Sequence, residues 1–327
     1  MSGMAMVEQR RGRGDAALWV REGARRLPGL DDNRRLAAVR EGLLRHPAVR
    51  PVPAAVPDAE LEDALAAIHE PAYLAELEAV GGEEPVVLDA FAPPGLEPDI
   101  PVTARLVAAA REAARCAIAA ARELARGERF AYAVCRPPGH HAGPAFQAGY
   151  CYLNNAAAAA RTLLDAGLGP VGVLDLDLHY PNGTAAILER LPDATLHSLH
   201  AEPVTNLPPG SVLPRAEGER AVSFPGSPDP ERWLAEAARS VDELAGRGGV
   251  LVVSLGFDTV RGDPHGGWSF EPEVFGALGR LLAASGRPVC VVQEGGYALG
   301  LLADCAEAFA GGLLGAPVAA PAEGAAA

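Results

Sequence analysis

Val171-Gly-Val-Leu-Asp175-Leu-Asp177-Leu-His179-Tyr-Pro-Asn182-Gly183 opens as an apolar, β-branched run and closes on two carboxylates and an imidazole at alternate positions. Alternate residues of an extended chain share a face, so the spacing predicts that Asp175, Asp177 and His179 point the same way. Asn182-Gly183 breaks the run, and a helix is expected from Thr184 onward. The unit reads as a buried parallel strand delivering oxygen and nitrogen donors to its carboxyl end, where open α/β sheets bind ligands. Two readings stay open at this point. The donors form a metal site of a kind that suits zinc, or the acids cap the helix that follows.

The surrounding sequence supplies the rest of such a sheet. Apolar strand patterns at Phe130–Cys135, Val171–Asp175, Thr195–Leu199, Val250–Leu255 and Val289–Gln293 alternate with helical patterns at Asn155–Ala166, Thr184–Arg190, Pro230–Ala245 and Pro272–Ala284. Strands that are apolar on both faces and alternate with helices predict a three-layer α/β/α fold around a central, mostly parallel sheet. Upstream, a first strand is expected at Ala16–Val20, a helix at Asp32–Arg45, two short helices at Leu61–Ile68 and Ala72–Val80, and a long helix at Thr103–Arg126 stopped by Gly127. Residues 81–101, rich in proline, glycine and acids, form a loop of a length that is often functional. Residues 1–15 read as a loose leader and 315–327 as a low-complexity tail. No linker divides residues 16–314, which are taken as one catalytic domain.

Bulk properties narrow the function classes. A hydrophobic content of 49% over 327 residues is ample for a core. The formal charge of −14 argues against nucleic acid and favours cationic partners such as polyamines or lysine-rich tails. Cys116, Cys135, Cys151, Cys290 and Cys305 are odd in number and show no C-x-x-C spacing, which fits a reducing compartment. No secretory signal is legible, and no apolar run reaches the ~18–20 residues that span a bilayer. A cytoplasmic protein without a membrane partner is expected, and a homo-oligomer is left open.

Each strand pattern is followed at once by unusual polar residues. Arg136-Pro-Pro-Gly139-His140-His141 follows the first, His200 follows Thr195–Leu199, Gly256-Phe-Asp258 follows Val250–Leu255, and Glu294-Gly-Gly-Tyr297 follows Val289–Gln293. In a parallel sheet all these ends lie on one edge. Singly, each has a structural reading: Asp258 caps a turn, Tyr297 is a rim aromatic, Asp263 holds a loop. Pooled, they offer two acids and a histidine for a metal, two further histidines for proton transfer, and a phenol. That inventory matches metal-assisted hydrolysis. No G-x-S-x-G elbow, P-loop or G-x-G-x-x-G is present.

The motifs resemble those of the histone deacetylase and acetylpolyamine amidohydrolase superfamily, whose fold is arginase-like α/β. The matching segments are Arg136-Pro-Pro-Gly-His-His-Ala142, Gly149-Tyr-Cys-Tyr-Leu-Asn-Asn155, Asp175-Leu-Asp-Leu-His179, Asn182-Gly-Thr184, Gly256-Phe-Asp258, Gly262-Asp-Pro264 and Glu294-Gly-Gly-Tyr297. The resemblance implies a zinc-dependent deacylase with Asp177, His179 and Asp258 as ligands of one Zn2+ per chain. It further implies His140 and His141 as the tandem pair and Tyr297 as the phenol that polarises the scissile carbonyl. Asp175 would partner His140 and Asn182 would partner His141. Asp175, Asp177, His179, Ser198 and Leu199 match a monovalent-cation site, usually potassium. Gly149 and Tyr150 would line the acyl tunnel, Asp99 would be the rim carboxylate, and Arg35 would stand behind the site.

Three segments depart from the family pattern. Tyr180-Pro181 replaces His-Gly after the ligand histidine. Leu207-Pro-Pro-Gly210 stands where a tunnel aromatic is common, placing Leu207 in one wall. The opening segment lacks the usual histidine. The expected substrate is a small cationic acyl-amine, an acetylpolyamine ahead of an acyl-lysine peptide. The competing readings are an acetyl-lysine protein deacetylase, an arginase-type ureohydrolase and a non-catalytic acyl-amine or metal-binding regulator. Asp258-Thr-Val-Arg-Gly-Asp263 lacks the D-x-D spacing that a two-metal ureohydrolase needs.

Overall fold

The structure is a computed structural model and describes residues 3–9, 19–22, 25–202 and 218–315. Among the described residues the strands are β1 Met4–Glu8, β2 Trp19–Glu22, β3 Arg25–Pro28, β4 Val49–Pro53, β5 Phe130–Val134, β6 Val171–Asp175, β7 Ala194–Ala201, β8 Arg220–Phe224, β9 Val250–Leu255 and β10 Val289–Gln293. The helices are α1 Asn33–Leu44, α2 Asp58–Ala66, α3 Pro71–Ala79, α4 Ala104–Ala125, α5 Asn155–Asp165, α6 Asn182–Leu188, α7 Pro230–Gly246, α8 Pro272–Ala284 and α9 Leu299–Leu314.

Eight strands form one sheet in the order β4-β1-β5-β10-β9-β6-β7-β8, and every pair in it is parallel. β2 and β3 pair antiparallel as a separate ribbon. Alternation along the strands splits the core into two layers. Ala131 and Ala133 of β5 face the cluster that contains α4 and α5, whereas Phe130, Tyr132 and Val134 face the cluster of α1, α7, α8 and α9. The expected three-layer α/β/α architecture is the observed one.

The helix starts follow local chemistry. The Asp32 carboxylate accepts the Arg34 N–H at 2.7 Å to begin α1, and the Thr103 hydroxyl accepts from Leu106 N at 3.2 Å to begin α4. Asn154 begins α5 by accepting from Ala157 N at 2.9 Å.

Two N-terminal expectations are corrected. Met4–Glu8 lies inside the stretch expected to be a loose leader, yet it is a strand paired on both sides, with β4 and β5. Met4, Ala5, Met6 and Val7 are essentially inaccessible to solvent. Trp19 and Val20 fall in the ribbon rather than in the main sheet; residues 16–18 lie outside the described residues. β4, with Pro51 and Pro53, is tolerated because it is an edge strand, where a missing N–H breaks no inner ladder. Among the described residues no helix is long and apolar enough to cross a membrane.

Candidate active site

The four central strands, β5, β10, β9 and β6, end side by side, and the segments that leave them carry the polar motifs. The expected geometry of the first motif needs correction. β6 stops at Asp175, and the chain then bends instead of staying extended. The Asp175 Oδ1 accepts from Asp177 N at 3.2 Å, and the Asp177 Oδ1 accepts from His179 N at 3.0 Å. Two successive side-chain turns of this kind curl the segment. The residues converge on the site because of those turns, not because they share a strand face. α6 begins at Asn182, two residues earlier than expected.

Asp177, His179 and Asp258 bring one ligand atom each to within 4.8 Å of one another. His179 Nδ1 lies 3.2 Å from Asp177 Oδ1 and 3.2 Å from Asp258 Oδ2. A tetrahedral ion with bonds of ~2.0–2.1 Å requires ligand atoms about 3.3 Å apart, so the spacing fits. The opposite carboxylate oxygens are already held by backbone: Gly295 N donates to Asp177 Oδ2 at 2.8 Å and Leu178 N to Asp258 Oδ1 at 3.1 Å. Asp258 Oδ2 is buried without a hydrogen-bond donor. Burial first, and the Asp177 carboxylate second, push the Asp258 carboxyl up to about 7. Two acids this close in a dry site call for a cation between them. The cradle is built from glycine: a Cβ on Gly256 would stand 2.2 Å from Asp177 Oδ2, and one on Gly295 would stand 2.6 Å from oxygens of both acids.

The adjacent histidines have different partners. His140 Nδ1 lies 3.3 Å from Asp175 Oδ2, and its Nε2 lies 3.5 Å from Asp177 Oδ1. Burial opposes its charge, but Asp177 and Asp175 outweigh burial and raise it to about 10. His141 Nδ1 sits 2.9 Å from Asn182 Oδ1, a neutral partner. Burial, reinforced by His140 and His179, holds His141 well below its usual range. With the amide oxygen facing Nδ1, that nitrogen is the donor and Nε2 is left to accept.

The loop that carries the pair is anchored from three sides. Glu294 Oε2 accepts from Gly139 N at 2.7 Å and His140 N at 3.2 Å, while Ser254 donates to Oε1 at 3.1 Å. Asn154 donates to Ala142 O at 2.9 Å, and His69 faces Gly143 O at 2.8 Å. None of these anchoring roles is visible in the sequence motifs, because the partners stand between 12 and 155 positions away.

A cavity of about 770 Å³ opens above the triad. His140, His141, Asp177, His179, Asp258 and Tyr297 line its inner part, with Gly149, Tyr150 and Asp99 further along the wall. Gly149 N donates to Asp99 Oδ2 at 2.9 Å, and burial raises the Asp99 carboxyl to about 6. A Cβ on Gly149 would meet the His141 ring at 2.4 Å, so that wall is bare backbone. Arg35 is buried behind Tyr297, its guanidinium carbon 4.6 Å from the ring centroid, with Nε donating to Gly296 O at 2.6 Å. Asp31 pairs with both Arg35 (2.5 Å) and Arg136 (2.9 Å). His265 also lines the cavity and had no expected role.

For the monovalent-cation set, the sheet register places Asp175 beside Ser198, while Asp175 Oδ2 faces His140 Nδ1 at 3.3 Å. Ser198 Oγ instead meets His200 Nδ1 at 2.9 Å, and Leu199 is fully buried. Leu207 lies outside the described residues. Tyr180, one of the departures, is buried with its ring 5.0 Å from His200 and its hydroxyl donating to Glu219 at 3.1 Å; it is not among the cavity's lining residues.

Comparisons with known proteins bear on the family and the fold. The model of the histone deacetylase domain matches residues 30–313. Acetylpolyamine amidohydrolase 1 of Pseudomonas aeruginosa is 35% identical over 209 residues, covering 62% of this chain and 60% of that protein. Acetylpolyamine amidohydrolase of Mycoplana ramosa is 38% identical over 183 residues, covering 53% of each. The chain thus aligns with only half to three fifths of the length of these curated relatives. The crystal structure of an acetylpolyamine aminohydrolase from Burkholderia pseudomallei superposes with a TM-score of 0.82 at 28% identity, over 96% of this chain and 100% of that one.

Proposed function

This chain belongs to the histone deacetylase family, and from that premise we propose that it is a zinc-dependent amidohydrolase that removes an acetyl group from a small cationic amine, an acetylated polyamine. The observation that carries the reading is the triad Asp177, His179 and Asp258 at the cavity floor beside two histidines with opposite partners. The names of the relatives favour the polyamine, and the net charge of −14 favours a cationic substrate.

Asp177, His179 and Asp258 would hold the zinc. Zinc bound there would supply Lewis acidity to the scissile carbonyl and to the attacking water. His141, kept neutral by burial and by Asn182, takes the water's proton at Nε2. His140, held cationic by the two aspartates, stabilises the negative charge that develops at the reacting centre. The Tyr297 hydroxyl donates to the carbonyl oxygen as it becomes an oxyanion, and burial keeps the phenol protonated. The proton held by His141 then passes to the departing amine. Gly149 and Tyr150 flank the acyl chain, and Asp99 accepts from the substrate N–H at the rim. Asp175, with Ser198 and Leu199, is assigned to a potassium ion by the resemblance of these residues to the family's cation site, which the register that sets Asp175 beside Ser198 supports.

Turnover of acetylated polyamines, acetyl-lysine peptides and longer acyl-lysines, compared as kcat/KM, tests the substrate. The reading expects the acetylated polyamines to lead. A peptide preference would transfer the assignment to a protein deacetylase, and urea release from a guanidino substrate would support the ureohydrolase.

A further inference from the structure

His265 follows the turn Asp263-Pro264, at the cavity wall, and the reaction as described leaves it idle. Three contacts join it to Tyr297. The Asp263 carboxylate pins both backbones at once: Oδ1 accepts from His265 N at 2.9 Å, and Oδ2 accepts from Tyr297 N at 2.6 Å and Ala298 N at 2.9 Å. The imidazole stands edge-on to the Tyr297 ring, with centroids 4.9 Å apart and planes at 81°. Its Nε2 lies 2.9 Å from the Tyr150 hydroxyl, and the Tyr150 ring is itself 5.8 Å from Tyr297.

Tyr150 is the weak member of this group. It sits at φ 68, in the left-handed region that bulky residues avoid, and such a conformation persists only when its surroundings fix it. The hydrogen bond at the tip of the ring, to His265, is one of those restraints. Tyr297 is exposed to the opposite risk. It follows Gly295-Gly296, with Gly296 at φ 117, so its own backbone does little to aim the phenol. Two rings and one carboxylate therefore do what the local chain cannot.

We infer that His265 is a positioning residue: clamped between Tyr150 and Tyr297, it aims the Tyr297 hydroxyl at the substrate carbonyl and holds the tunnel wall at Tyr150 in register with it. This rests on the proposed role of Tyr297 as oxyanion donor. An apolar side chain at 265 would keep the packing and lose the bond to Tyr150, so the imidazole is used for both its ring contact and its hydrogen bond.

The test is a double-mutant cycle on an acetylated polyamine, with metal content measured in every protein. Tyr297→Phe should lower kcat roughly 10²–10³-fold, as loss of an oxyanion donor does. His265→Ala should lower kcat roughly 10–100-fold, the scale of a misplaced catalytic group, while KM stays within about threefold. The double mutant should be no slower than Tyr297→Phe alone, because once the hydroxyl is gone its aim no longer matters. His265→Gln, which keeps a hydrogen-bonding group near Tyr150, should recover part of the loss. Full kcat in metal-loaded His265→Ala, or losses that multiply in the double mutant, overturns the positioning role while leaving Tyr297 in place. Wild-type turnover in Tyr297→Phe overturns the oxyanion assignment and this inference with it. If His265→Ala fails to fold or loses its metal, the same cycle with His265→Phe decides, since that change keeps a ring and removes only the hydrogen bond.

Discussion

At the scale of single residues, His140 and His141 share a loop, a depth and a chemistry, and differ only in what stands opposite each. Asp175 and Asp177 face the first, and the neutral Asn182 faces the second. Asn182→Asp would put a negative charge 2.9 Å from His141 Nδ1 and favour its protonated form. The base must be neutral to act, so raising its pKa moves the acidic limb of kcat/KM to higher pH. A limb that moves down, or stays put in the metal-loaded variant, would mean that His141 is not the base. The two histidines were legible in the sequence because Pro-Pro-Gly-His-His is local. The anchoring role of Glu294, although the residue stands in a motif quoted above, and the place of His265 were not. Glu294 acts on Gly139 N from 155 positions away, and His265 acts through a ring contact; neither leaves a spacing to read.

At the scale of elements, the strands that carry chemistry were readable and several that carry only structure were not. β5, β6, β7, β9 and β10 are apolar runs with helices between them, and their bounds in the structure differ from those expected by two residues at most. β8, Arg220–Phe224, is half-exposed and flanked by charge, so no apolar run marks it. α9 is nearly continuous apolar sequence packed on α8 and α1, which hides the amphipathic period that reveals a surface helix. β1 was missed for its position: five residues among arginines and glycines near the start of the chain. Its burial gives a strong prediction. Met4, Met6 and Val7 each contribute about 1.5–3 kcal/mol when fully buried, so deleting them removes roughly 5–9 kcal/mol. Domain stabilities are only ~5–15 kcal/mol, and the deletion also exposes the edges of β4 and β5. A chain lacking residues 1–8 should therefore show no cooperative thermal transition. A cooperative melt in that chain within a few degrees of the intact protein would contradict the buried placement of β1 between β4 and β5.

At the scale of the whole molecule, the fold brings four strand ends together and the charge biases what arrives there. Glu97 and Asp99 stand along the cavity of a chain whose net charge is −14, with Arg21 paired to Glu97 at 3.2 Å. A cationic substrate should feel that field and a neutral one should not. For an acetylated polyamine, kcat/KM should fall roughly tenfold between low salt and ~1 M, where the screening length shrinks to ~3 Å. A neutral acyl amide should show little change. The account as a whole rests on one divalent ion at Asp177, His179 and Asp258 serving the hydrolysis of an acetylated amine. The most direct measurement is acetate release from an acetylated diamine by the purified chain, stripped with chelator and then titrated with zinc while bound metal is counted. The account predicts that activity vanishes on stripping and returns in full at one zinc per chain, and that Asp258→Ala neither retains the ion nor recovers activity. Two tightly held ions at full activity, or no acetate from the chain carrying one zinc, would contradict it.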